Sequence, residues 1–178
     1  MIEVEVKAKI NSFEEMESRL AGIGAVKSKK EFQEDIYFAS PIADFAKTDE
    51  ALRIRTTDSN TFITYKGPKL NSEAKTRKEV EMTVENADKA KDILKEIGFR
   101  QARCVRKNRR YYTYENFEIS LDDVEGLDPY MEIEIGLDDD KSYDEAQKSI
   151  FGLFEKLGII DGFERTSYME LLENLNKD

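Results

Sequence analysis

Polar and apolar residues alternate one for one along Glu3-Val4-Glu5-Val6-Lys7-Ala8-Lys9. Successive side chains of a strand point to opposite faces, so Val4, Val6 and Ala8 share one face. Glu3, Glu5, Lys7 and Lys9 share the other. The period then changes. Ser12-Phe13-Glu14-Glu15 has the form of a capping box, and Phe13, Met16 and Leu20 fall on one side of a helix running to about Ala21, with Gly22 and Gly24 as its stop. Alternation returns over Phe32 to Phe38, in Leu52-Arg53-Ile54-Arg55, and in Phe62 to Lys66, a strand predicted to end at the turn Gly67-Pro68. Pro41 to Glu50 and Lys69 to Thr76 read as loops.

The opening pattern recurs twice. Glu79-Val80-Glu81-Met82 precedes a helix from about Ala87 to Glu96 and then Ile97-Gly98. Glu132-Ile133-Glu134-Ile135 precedes a helix capped by Ser142 with Glu145, running to Lys156 and then Leu157-Gly158. The first copy closes on Ile23-Gly24. This repeat is too long and too divergent for a solenoid and fits a pseudo-symmetric sheet closed on itself. Between the second and third copies, Arg106 to Tyr114 and Phe117 to Asp122 form a hairpin through Glu115-Asn116. It puts Lys107, Arg109 and Tyr111 on one face, and sets Glu118, Ser120 and Asp122 against Phe117, Ile119 and Leu121. The segment Arg165 to Leu172 is predicted to be a helix leaning on the body.

Any one of these strands would serve an ordinary half-exposed sheet. Jointly they say more. Strand after strand carries charge on one face, and three amphipathic helices stand ready to cover the apolar one. Helices outside make the charged face the interior of a closed barrel with a wet cavity, in the α+β class. A charged lining is costly unless its charges are paired or ligated. Arginines fork onto phosphate oxygens, and hard carboxylates suit Mg²⁺ or Mn²⁺. The residues therefore point to a metal-bound polyphosphate. The chain has no Gly-rich phosphate loop, so recognition falls to side chains.

Composition narrows this picture. The 178 residues suit one domain, residues 1–178, with a real core. A net charge of −10 argues against a nucleic-acid partner, yet leaves room for a small polyanion held by a local basic cluster. With no histidine and one cysteine, imidazole bases, His-containing metal sites and disulfides are excluded, and Cys104 reads as a packing residue. No signal-peptide pattern or membrane-length apolar run occurs, so a cytoplasmic protein with no membrane partner is expected.

The ordered motifs resemble the CYTH superfamily, the triphosphate tunnel enzymes. They are Glu3-x-Glu5-x-Lys7, Asp35-x-Tyr37-Phe38, Leu52-Arg53-Ile54-Arg55, Thr64-Tyr65-Lys66-Gly67-Pro68, Arg77-x-Glu79-x-Glu81 and Lys107-x-Arg109. Leu121-Asp122-x-Val124-Glu125-Gly126-Leu127, Glu132-Ile133-Glu134 and Ser167-Tyr168-x-x-Leu171-Leu172 complete the set. The resemblance spans nearly the whole chain. One departure is Gly126-Leu127-Asp128-Pro129, where relatives often carry Gly-Leu-Gly.

The resemblance implies a closed eight-stranded antiparallel β-barrel, the triphosphate tunnel, with helices packed outside. It implies Glu5 and Glu134 as main ligands of Mg²⁺ or Mn²⁺, with Glu3 and Glu132 beside them. Lys7, Lys9, Arg53, Arg55, Lys66, Arg77, Lys107 and Arg109 become the triphosphate-binding set, and Asp122 and Lys107 the catalytic candidates. Arg77, Glu79 and Glu81 have a second reading as partners of one another, and Lys75 reads as a solvated lysine. The Tyr-Lys-Gly-Pro strand end and terminal Ser-Tyr-x-x-Leu-Leu look most like class IV adenylate cyclases, which make cyclic AMP and pyrophosphate from ATP. The alternatives, in order, are a triphosphatase acting on thiamine triphosphate, tripolyphosphate or a nucleotide, and a non-catalytic binder. Family members include dimers, and the helix faces could support a homodimer.

Overall fold

Val4, Val6 and Ala8 of β1 (Ile2–Lys9) are buried, as their alternation predicts. They pack beneath Met16 and Leu20 of α1 (Phe13–Gly22) and beneath Ile150, Leu153 and Phe154 of α4 (Tyr143–Lys156). The computed structural model describes residues 2–69, 77–137 and 143–175. The remaining elements are β2 (Val26–Ala39), α2 (Phe45–Thr48), β3 (Ala51–Thr57), β4 (Thr61–Lys69), β5 (Arg77–Val84), α3 (Ala87–Glu96), β6 (Arg100–Tyr114), β7 (Phe117–Val124), β8 (Tyr130–Leu137), β9 (Phe163–Glu164) and α5 (Tyr168–Leu175). Expectations for Lys75, for the loop to Thr76 and for the Ser142 cap lie outside the described residues.

The sheet runs β5-β4-β3-β2-β6-β7-β8-β1, every pairing antiparallel. It closes where Ile2 and Glu3 of β1 meet Lys78 and Arg77 of β5. Eight strands thus form a barrel with no free edge at that seam, and β9 lies outside against Lys7 and Ala8. Apolar side chains face outward into the helix layer and charged ones inward. A second cluster, Ile36, Phe38, Leu52 and Ile54 with Leu94, fixes α3, and half-buried Cys104 packs there.

The three repeat units close alike. After α1, α3 and α4 the amides of Gly24, Gly98 and Gly158 return to Ala21, Lys95 and Glu155, and the next amides return to Leu20, Leu94 and Phe154. This is the paired Schellman closure that the aliphatic-glycine endings predict.

Several local expectations change, β6 beginning at Arg100 and α5 at Tyr168 among them. β2 begins at Val26, six residues early, because its first half pairs with β6 as a two-stranded ribbon, polar on both faces. A helical turn, α2, interrupts the loop after Pro41. β4 runs on through Gly67-Pro68, with a register irregularity between Lys66 and Lys69 in place of a turn. At α1 the box is half formed: Ser12 Oγ accepts the Glu15 amide at 3.1 Å, while the Glu15 carboxylate turns to Arg19.

Candidate active site

The charged face encloses a cavity of about 1030 Å³. Register sets its acidic wall. Glu5 on β1 stands directly opposite Glu134 on β8, and Glu134 stands opposite Glu118 on β7. Burial first, then the charges of Glu5 and Glu3, push the Glu134 carboxyl up to about 8. Burial, followed by Glu79, also raises Glu3. These carboxylates hold more negative charge than their surroundings offset, which is the condition a divalent cation relieves. Among the described residues no three carboxylates close into a ready-made cage.

The basic wall is built from charge pairs that hold guanidinium groups still. Asp35 on β2 sits opposite Arg55 on β3 and takes Arg55 Nε and Nη2, each at 2.7 Å, with Arg53 Nη1 at 3.6 Å. Burial opposes ionisation of Asp35, but Arg53 and Arg55 outweigh it and hold the carboxyl well below its usual range. Arg109 on β6 stands opposite Asp122 on β7. It donates Nε to Oδ1 at 2.6 Å and Nη2 to Oδ2, and Nη2 also reaches Glu132. Lys107 is 4% exposed, with Nζ 4.0 Å from Asp122. Burial and then the neighbouring Arg109 lower its ammonium to about 8.

Of the sequence-predicted set, Glu3, Glu5, Arg53, Arg55, Lys66, Arg77, Lys107, Arg109, Glu132 and Glu134 line this one cavity. Two cations do not. Lys7 is buried beneath the C-terminal segment, donating to the Thr166 carbonyl with its ammonium 4.2 Å from the Tyr168 ring. Lys9, last in β1, still pairs with Tyr130 of β8, but its exposed side chain turns to Asp128 at 2.5 Å. Asp122 is fully buried, both oxygens engaged by Arg109, which is the position of an orienting counter-ion. Arg77, Glu79 and Glu81 do not pair among themselves. Residues two apart on one strand face are farther from each other than from a neighbouring strand. Arg77 reaches Asp49, Glu79 reaches Lys66, and Glu81 accepts from the Thr64 hydroxyl at 2.7 Å.

Sequence reasoning gave no role to Asp35, Glu118, Arg165 or Tyr168, all within the site or against it. Asp35 and Glu118 lie on alternating strands, so their inward direction was readable. Arg165 and Tyr168 arrive on the C-terminal segment, whose pattern predicts a helix but not which of its residues enter the barrel. The end of β2, the β2–β3 connection and α5 also contribute to the lining, Tyr37, Pro41, Phe45 and Met169 among them. No helix among the described residues is long and apolar enough to cross a membrane.

The model of the CYTH domain family matches residues 1–168. The chain is 43% identical over 172 residues to MJ0240 of Methanocaldococcus jannaschii, provisionally named an adenylate cyclase, covering 96% of this chain and 98% of that one. The PH1819 protein of Pyrococcus horikoshii superposes with a TM-score of 0.89 at 38% identity, covering 99% of both chains. HpAC1 from Hippeastrum, named for adenylyl cyclase and described with a dominant triphosphatase activity, shares the fold at a TM-score of 0.69 and 20% identity, over 97% of this chain and 95% of that one.

Proposed function

The chain belongs to the CYTH family, and on that footing we propose that it is a metal-dependent enzyme of nucleoside triphosphates that cyclises ATP to cyclic AMP and pyrophosphate. One observation carries the reading. A single cavity is lined by Glu5 and Glu134, by Arg53, Arg55, Lys107 and Arg109, and also by Tyr37, Pro41, Phe45 and Met169. A bare polyphosphate has no use for aromatic and apolar side chains in the lining. An organic group attached to one does.

Glu5 and Glu134, with Glu3 beside them, would hold Mg²⁺ or Mn²⁺. When bound, the ion polarises phosphoryl oxygens and lowers the pKa of the attacking ribose hydroxyl. The remaining work belongs to this chain. Arg55 and Arg109 each commit one edge of the guanidinium to a carboxylate, which leaves Nη1 for phosphate oxygens at little further cost in ordering. As the ribose oxygen bonds the α-phosphorus and the bond to pyrophosphate breaks, the hydroxyl proton would pass to solvent, and the Lys107 ammonium, lowered to about 8, would offset the charge on the departing pyrophosphate. Asp122 keeps Arg109 in plane and takes no proton in this scheme.

A second reading, hydrolysis of the triphosphate, is favoured by Glu118. It is exposed, lines the cavity and stands beside Glu134, so water reaches the carboxylate wall. The test is to incubate the protein with ATP, thiamine triphosphate and tripolyphosphate, each with Mg²⁺ or Mn²⁺, and identify the products. Cyclic AMP with pyrophosphate is the expected result. Orthophosphate without cyclic AMP replaces it with the second reading, and binding without turnover removes both.

A further inference from the structure

Tyr168 is the first residue of α5, yet its side chain is buried against the barrel lining, where it is 7% exposed. The local sequence dictates this. Ser167 and Glu170 form a complete capping box: the Ser167 amide and hydroxyl donate to the Glu170 carboxylate at 2.9 and 2.7 Å, and the Glu170 amide returns to Ser167 Oγ at 3.2 Å. With the first turn locked, the phenol ring lies edge-on to Tyr130 at 5.5 Å, and the Lys7 and Lys107 ammonium groups stand 4.2 and 5.1 Å from its centroid.

A phenylalanine would supply all of that packing. The hydroxyl does something else. It donates to Asp122 Oδ2 at 2.7 Å, the oxygen that also takes Arg109 Nη2 and lies 4.0 Å from Lys107 Nζ. A fully buried carboxylate with a donor removed seeks another, and the nearest candidate is the Lys107 ammonium.

We propose that Tyr168 is a positioning residue for triphosphate binding: by donating to Asp122 it fixes the plane of the Arg109 guanidinium and keeps Lys107 from collapsing onto Asp122, so both cations stay directed at the bound anion. The inference rests on the reading of the cavity as a triphosphate site. Tyr168 acts through Asp122 and touches no phosphate itself.

The test is a double-mutant cycle in which Tyr168→Phe and Asp122→Asn are made singly and together. Affinity is measured by calorimetric titration with Mg²⁺ and the bis-methylene analogue of tripolyphosphate, whose P–C–P bridges resist hydrolysis. Melting temperatures are recorded alongside. Tyr168→Phe is expected to weaken binding about tenfold, a change of about 1.4 kcal/mol, and to add nothing in the Asp122→Asn background. If Asp122→Asn fails to fold, Arg109→Lys takes its place in the cycle. A Tyr168→Phe protein that binds as tightly as the wild type, or losses that simply add, overturn the positioning role and leave the proposed function standing. A lowered melting temperature with affinity spared marks a purely structural role and overturns it equally. If the wild type itself does not bind the analogue, the functional reading falls and takes the inference with it.

Discussion

Glu5 and Glu134 face each other across adjacent strands, a cross-strand pair of like charge that a sheet ordinarily avoids. The crowding has a measurable sign. The Glu134 carboxyl is raised from 4.5 to about 8, by burial and then by Glu5 and Glu3. A group raised on folding contributes stability that is complete below its unfolded value and is lost as pH climbs through the folded one. Metal-free protein, kept so with a chelator, should therefore lose stability between about pH 5 and pH 8. Glu134→Gln should flatten that decline and leave the variant the more stable protein at pH 8, by up to about 4 kcal/mol. Denaturant titrations across the range check this, and an unchanged slope in the variant would contradict it.

The same substitution should be costly to the chemistry. Removing groups that merely orient a metal ligand lowers activity about 10–100-fold, so loss of a ligand should lower it by at least about 100-fold. Glu134→Gln is thus expected to be more stable and inactive together, the trade expected where charges are held in place for a bound ion. Full turnover in the variant with Mg²⁺ would take Glu134 out of the metal site.

The helix endings offer a test of the fold independent of function. Gly24 and Gly158 both adopt positive φ, +84° and +75°, and an added Cβ meets nothing within 4 Å at Gly24. At Gly158 it would lie 2.6 Å from Arg19 Nη1, which donates to the Leu157 carbonyl at 2.6 Å. Gly24→Ala should cost about 1 kcal/mol for the left-handed backbone alone. Gly158→Ala should cost about 1 kcal/mol more, because Arg19 must give up that bond. Equal losses in thermal or denaturant melts would show that Arg19 moves without penalty.

Where period and burial agree, the sequence discloses the structure closely. Val4, Val6 and Ala8 against Glu3, Glu5 and Lys7 is such a case, and α3 occupies Ala87–Glu96 as its pattern predicts. The ribbon at the start of β2 escaped because Lys27, Lys29 and Lys30 carry no apolar face to betray a strand that pairs there with β6. Lys9 shares a face with Glu5 but lies at the last register position of β1, opposite Tyr130, where its side chain is exposed and Asp128 takes it. Tyr168 is a different matter. Alternation marks which side of a strand points inward, but whether a terminal helix is laid on the surface or inserted depends on what the barrel leaves open. That is settled only when the eight barrel strands are in place.

Asp35 shows how far the lining depends on counter-ions. It is 2% exposed, and its carboxylate is the shared partner of Arg53 and Arg55. Burial would raise it, but the two guanidinium groups hold it low, so its contribution is present above the ordinary value of 3.8 and lost only as pH falls through the folded one. It is constant over pH 5–8, opposite in sense to Glu134, and does not blur that test. Asp35→Asn keeps the shape and removes the charge, leaving Arg55 without its carboxylate and buried Arg53 with only the Glu81 carboxylate at 3.8 Å, a change that costs about 3–5 kcal/mol. An anion bound between them would replace what was lost. Tripolyphosphate should therefore raise the melting temperature of Asp35→Asn by more than it raises that of the wild type, for which about 2.7 kcal/mol is expected at a hundredfold excess over the dissociation constant. A variant that melts with the wild type, or that gains no more from the anion than the wild type does, would mean that Arg53 and Arg55 are not the groups that receive the phosphates.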